Sequence, residues 1–373
     1  MKVKASVVTI LLLVFSACHH NPPQPPPQPP VPECEVWQSA SGCNCPEGTE
    51  LLEEFGVCGP FRVDNSVNLW EVRGITAFSL ALRDIPYIVQ LLNHVKNAGW
   101  DPLILRVGTQ TAGDWCESGT PGYLPCGPPH GSAEADRNLR RLLEVTARTR
   151  NVSVQLIPTF TYKSHNEGTQ EANIKYFNAM FDHVNAIVKE GGYQNVVWEM
   201  FNEVVHPLSQ HIKDEDVREM LLHVKAESDL PVGTDYHGEF RNEEAWPGRY
   251  PFVWRDVVGY IAFHPRRNPE PTFDDLVRAQ QRWNYVKPVW TDETVSWASD
   301  ANIAKYHLQG KGTIAMNGYG TEDERMWQVV RHLKNVYRTS EGTHHWIPFY
   351  HSIWLIECAE IGRIPNFDND IAN

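Results

Sequence analysis

The sequence predicts an α/β fold: eight β/α units closed into a (β/α)8 TIM barrel, with a short disulfide-stapled N-terminal extension. Three observations predict it. From residue 68 onward, apolar runs of strand length alternate with longer amphipathic stretches of helix length. Strands separated by helices pair in parallel, and eight such units in one domain of this size favour a closed barrel. The rival, an open doubly wound sheet, invites a search for a glycine-rich phosphate turn after the first strand, and none is there. Third, nearly every apolar run ends in polar residues, where such barrels carry their chemistry.

The units follow in order. LWEVRGITAF (69–78) reads as strand and DIPYIVQLLNHVKNAG (84–99) as helix. PLILRVG (102–108) is the second strand, and its helix, 132–149, opens on Ser132 as N-cap. VSVQLIPTF (152–160) precedes helix 169–192, which glycine closes; NVVWEMFN (195–202) precedes helix 213–228. LPVGTDY (230–236) is a short strand with a poorly marked helix behind it. VVGYIAFH (257–264) leads to helix 272–286, and KPVWTDE (287–293) to helix 322–340. HHWIPFYHSIW (344–354) is expected as the last strand. KGTIAMNGYG (311–320) reads as a loop insertion or as a strand, and the second choice would shift the count.

Ahead of the barrel (67–373) lie three segments. Residues 1–18 have the layout of a secretory signal peptide: Lys2 and Lys4, an apolar run from Val7 to Phe15, then Ser16-Ala17-Cys18. The run is too short to span a membrane comfortably. Cysteine after Ser-Ala resembles a bacterial lipobox, in which Cys18 is lipidated and starts the mature chain; plain cleavage for secretion is the other reading. Either way the mature protein is exported to an oxidising compartment, as an outer-membrane or cell-surface lipoprotein or as a secreted protein. Residues 19–33, HHNPPQPPPQPPVPE, form a stiff proline spacer. Residues 34–66 hold Cys34, Cys43, Cys45 and Cys58, read as two disulfides with three pairings open. A zinc knuckle is the alternative, although C-x-C is not the usual clamp. Cys116 and Cys126 bracket a Gly/Pro loop and suit a local disulfide.

The net charge of −13 argues against a nucleic-acid partner. Sixteen histidines invite a metal reading, yet no H-E-x-x-H or similarly paired spacing occurs, so no metal and no cofactor is expected. A monomer is expected.

Candidate site residues follow from the strand ends. Strand two ends at Arg106, strand four at Asn202 and Glu203, and strand five at His237. Strand six ends at His264, strand seven at Asp292 and Glu293 with Trp297 nearby, and strand eight carries Trp354. Two carboxylates facing each other across a barrel mouth suit glycosidic cleavage, one protonating the leaving oxygen and the other attacking the anomeric carbon. Arg106 beside Glu293 would keep that carboxylate ionised, while Glu203, with less cationic company, would hold a proton as general acid. Each has a structural alternative: a strand cap for Glu203, a salt bridge to a neighbouring strand for Arg106, a satisfied core position for His237. Glu199 shares strand parity with Glu203 and reads as a buried carboxylate paired with an arginine such as Arg73. Trp115, Trp246, Trp254, Trp297 and Trp354 fall at or near loops of the active face and suit a sugar-stacking cleft, with ordinary packing the other reading for at least half of them.

Trp198-Glu199-Met200-Phe201-Asn202-Glu203 resembles the fourth-strand motif of the clan A glycoside hydrolases, most closely family 5 and its relatives. Lys287 to Glu293, KPVWTDE, resembles their seventh-strand motif. The resemblance implies Glu203 as acid/base, Glu293 as nucleophile, Asn202 on the sugar 2-hydroxyl, Arg106 near the nucleophile and His264 steering it. The chain departs in strand six, where His-Pro-Arg stands in place of His-x-Tyr. The expectation is a retaining, endo-acting β-glycoside hydrolase acting on a poly- or oligosaccharide. A non-catalytic carbohydrate-binding surface lipoprotein on the same scaffold is the alternative.

Overall fold

The computed structural model describes residues 31–65, 67, 69, 73–77, 80–97, 102–108, 131–158, 169–201, 213–238, 256–265, 287–291 and 313–315. The cysteine-rich extension comes first. Bridges Cys34–Cys43 and Cys45–Cys58 select one of the three pairings, so these thiols are not metal ligands. Strands β1 (Thr49–Leu52) and β2 (Val57–Pro60) form an antiparallel hairpin in register Thr49↔Pro60 to Leu52↔Val57. Gly56, at φ 64°, turns it. Trp37 folds over the hairpin, 9% exposed and itself at φ 65°. It lies so close that a β-carbon on Gly59 would stand 2.9 Å from its ring.

The barrel strands are β3 (Arg73–Thr76), β4 (Leu103–Gly108), β5 (Val152–Ile157), β6 (Val196–Glu199), β7 (Val232–Gly238), β8 (Tyr260–Pro265), β9 (Val289–Thr291) and β10 (Thr313–Ala315). They close in the order β10-β3-β4-β5-β6-β7-β8-β9, every pairing parallel. Together with the helices the architecture is a TIM-like α/β fold.

One strand assignment is corrected. The closing strand is Thr313–Ala315, within KGTIAMNGYG, and not 344–354. It pairs with Arg73–Ile75 on one side and with Thr291 on the other. Thr313 and Ile314 are β-branched, a composition that suits a strand. The longer aromatic run at 344–354, expected as the last strand, lies outside the described residues, and so does Trp354.

Four barrel helices are described: α1 (Ile85–Asn97), α2 (Ala133–Ala147), α3 (Gln170–Gly191) and α4 (Asp214–Glu227). The expected helices 272–286 and 322–340 lie outside the described residues. Each described N-terminus has a local cause. Asp84 accepts from Tyr87 N–H, Ser132 from Ala135 N–H and Thr169 from Ala172 N–H, at 3.0, 3.2 and 3.2 Å. For α4, Lys213 has no side-chain acceptor, and Asp216 reaches back to take its N–H at 3.0 Å. Gly192, at φ 63°, ends α3 in the left-handed conformation.

The core has two layers, as strand alternation requires. Outside the sheet, Leu103, Leu105 and Val107 of β4 and Val154 and Leu156 of β5 pack under the helices. Trp198 belongs to this layer, its ring meeting Phe181 of α3 edge-on at 5.0 Å and its Nε1–H donating to Ser228 at 2.9 Å. Inside, a small cluster of Ile104, Val197, Tyr260 and Ala262 is covered by Val67 and Leu69. The extension is bolted to the helices through Glu144 of α2. Its carboxylate accepts from Arg62, Arg148 and Tyr193, while Arg148 also meets Glu50 of β1 at 2.6 Å.

Candidate functional site

The polar end of the barrel is built by residues of inward parity. Arg106 follows Ile104 by two positions on β4, Glu199 follows Val197 on β6, and both therefore face the axis above the inner apolar cluster. They meet. Arg106 Nε donates to Glu199 Oε2 at 2.9 Å and to Oε1 at 3.2 Å, and Nη2 donates to Oε1 at 2.6 Å. Both side chains are fully buried. This is a side-on, two-point ion pair that excludes water.

The pair spans two strands that do not touch, because β5 lies between β4 and β6. Register explains the reach. Arg106 is level with Gln155, and Gln155 with Val197, so Glu199 lies two positions nearer the C-terminal end. The arginine leans towards the barrel mouth to reach it. The expectation for Glu199 is an arginine partner such as Arg73; among the described side chains, the arginine that bonds it is Arg106. The alternative reading for Arg106 is a salt bridge to a neighbouring strand; the bridge it makes reaches past the neighbour β5 to Glu199 on β6.

Two further polar residues line the same level. Gln155 Nε2 donates to Tyr260 Oη at 3.3 Å, and Tyr260 Oη donates to the Trp198 carbonyl at 2.8 Å. Gln155 Oε1 and Thr76 Oγ1 are buried and have no hydrogen-bond partner among the described residues. Tyr260 lies flat on Gly233, where a β-carbon would come within 2.4 Å of the ring. Sequence reading missed Gln155 and Tyr260 as a pair. The signal was present: an amide interrupts the apolar run VSVQLIP on the inward parity shared with Arg106.

Of the other expected residues, His237 and His264 stand level with each other at the C-terminal ends of β7 and β8. Asn202, Glu203, Glu293, Trp297 and Trp354 lie outside the described residues. Among the described residues no group of three His, Cys, Asp or Glu is placed to hold a metal ion. No described helix is long and apolar enough to cross a membrane. The larger described groove, about 730 Å³, lies on the flank between α3 and α4, lined by Glu171, Lys175, Asp182 and Glu219, and does not include the Arg106–Glu199 pair.

No protein-family model matches the chain, and no curated protein matches it. Several solved structures resemble it at low identity. A provisionally assigned glycoside hydrolase from Bacteroides vulgatus is 14% identical with a TM-score of 0.46; the match covers 73% of this chain, which spans only 57% of that protein. A β-1,4-D-mannanase from Cryptopygus antarcticus is 13% identical with a TM-score of 0.46, over 71% of this chain and 90% of the mannanase. The tryptophan synthase α chain of Legionella pneumophila is 11% identical with a TM-score of 0.41, over 74% and 92%. Likeness at this level, to proteins of different chemistry, assigns no reaction.

Proposed function

We propose that the chain is a retaining β-glycoside hydrolase, endo-acting on a polysaccharide, on a complete (β/α)8 barrel. Glu293 attacks the anomeric carbon and forms a glycosyl-enzyme ester, while Glu203 gives its proton to the departing glycosidic oxygen. Glu203, now a carboxylate, then takes a proton from water. That water attacks the anomeric carbon and frees Glu293, with configuration retained. Asn202, Arg106, His237, His264 and the tryptophans Trp297 and Trp354 bind and orient the sugar.

What supports this reading is the strand map laid over the two acidic motifs. In barrel order β6 is the fourth strand and β9 the seventh. β6 ends at Glu199, just ahead of Asn202-Glu203, and β9 ends at Thr291, just ahead of Asp292-Glu293. Barrels of this kind work at such strand ends. The buried Arg106–Glu199 pair supports it too, because it puts ordered charge at the same end. Export, with a lipid on Cys18, belongs to the same proposal; two disulfides in the extension suit an oxidising compartment.

The test is turnover of aryl β-glycosides and of a panel of glucans, mannans and xylans, with the anomer of the first product read by NMR. Retained configuration, and loss of at least about a thousandfold in kcat for Glu293→Gln, are expected. Binding without turnover on every substrate would favour the non-catalytic carbohydrate-binding alternative. Inverted product, or wild-type turnover in Glu293→Gln, would refute the mechanism.

A further inference from the structure

We infer that Glu199 is a positioning residue, which fixes the plane and reach of the Arg106 guanidinium at the barrel mouth. The inference rests on the glycosidase reading above and adds a residue to it.

An arginine head on a long flexible stem points nowhere in particular unless something holds it. Here the Nε–Nη2 edge is held by both oxygens of one carboxylate through three hydrogen bonds of 2.6–3.2 Å. A planar fork gripped along one edge can no longer rotate, so its Nη1 edge is aimed. Both partners are fully buried, so water does not compete for the contact.

Glu199 is itself anchored. Its chain neighbours are fastened on both sides: the Trp198 carbonyl accepts from Tyr260 Oη at 2.8 Å, and Met200 N–H donates to the Gly233 carbonyl at 3.1 Å. The Trp198 indole is tied to Ser228 behind the sheet. Gly233, level with both Glu199 and Tyr260, has no side chain, which lets the Tyr260 ring lie in place. Strand, tyrosine and glycine together make a rigid mount for one carboxylate. A buried ion pair that served stability alone would gain little over apolar residues of the same volume. A mount built around this pair, at the end of the barrel where the acidic motifs begin, fits a geometric role.

The experiment measures kcat and KM of full-length Glu199→Gln and Glu199→Asp. Active sites are titrated with a fluorinated aryl glycoside that traps the glycosyl-enzyme. Positioning predicts that kcat per titrated site falls about 10- to 100-fold in Glu199→Gln, with KM within about threefold, since a 1 Å misplacement costs about that much. Glu199→Asp keeps the charge and draws the carboxylate back by one methylene, so it is expected to fold and still lose at least about tenfold in kcat. Unchanged kcat per titrated site in either variant overturns the proposal, even where the yield of titratable sites drops. That outcome leaves the glycosidase reading standing. A wild-type chain that turns over nothing overturns both.

Discussion

Replacing Glu144 by glutamine removes the charge that holds the extension to the barrel helices and leaves the shape unchanged. The wild-type carboxylate is 8% exposed and bonds Arg62, Arg148 and Tyr193. The Arg62 side chain is 42% exposed, so that half of the network is worth under about 1 kcal/mol. Arg148 is only 4% exposed. Stripping a buried charge of its partner costs about 3–5 kcal/mol. Arg148 keeps Glu50 at 2.6 Å and the Pro60 carbonyl, which reduces the expected loss to about 2–3 kcal/mol. Urea unfolding at pH 7 should therefore show a midpoint lower by about 1 M with an unchanged slope. The effect has a pH signature. Burial by itself would raise the Glu144 carboxyl, but hydrogen bonds from Arg62, Arg148 and Tyr193 outweigh it and hold the group below its ordinary value. A depressed carboxylate contributes its full stability above the unfolded value of about 4.3 and loses it as pH falls through the folded value. The gap between wild type and Glu144→Gln should thus be constant at neutral pH and close in acid. Equal midpoints at pH 7, or a gap that widens on acidification, would refute the reasoning.

Three further outcomes are expected. Gly233→Ala drives a β-carbon into the Tyr260 ring and should cost about 1–3 kcal/mol in thermal unfolding, together with the Tyr260–Trp198 hydrogen bond; a silent substitution would mean that the ring moves aside freely. Phe181→Ala empties the space against Trp198 and should cost about 3–5 kcal/mol by urea denaturation, seen also as a change in tryptophan fluorescence. Cys18→Ser should abolish incorporation of labelled fatty acid in a bacterial host and release the protein from the membrane fraction; continued labelling would place the lipid elsewhere.

Local features were legible along the chain because their causes are local. Ser132 caps α2 through a bond to the third residue on, and Gly192 ends α3 because only glycine takes φ 63° without cost. Most of the strands from β4 to β8 were legible as largely apolar runs because a parallel sheet buried on both faces is built mainly from apolar residues, with Arg106, Gln155 and Glu199 as the inward exceptions. The closing strand was not. Thr313–Ala315 is three residues long and owes its strand character to the edges of β9 and β3, which only the closed sheet brings to it. Apolar length alone favoured 344–354 instead.

The same division runs through the candidate site. Sequence by itself placed polar residues after apolar runs and brought two acidic motifs to the fourth and seventh strands, since the order of strands in a parallel barrel follows the order in the chain. It could not say which arginine faces Glu199. Arg106 and Glu199 are 93 residues apart, and their meeting depends on a stagger of two positions between strands separated by a third. Nor could it join Glu144 to Arg62 across 82 residues, or lay Tyr260 on Gly233. Pattern along a chain reports which face is apolar and where a run stops. Register and stagger are set by all eight strands at once, and they alone decided which buried charge meets which.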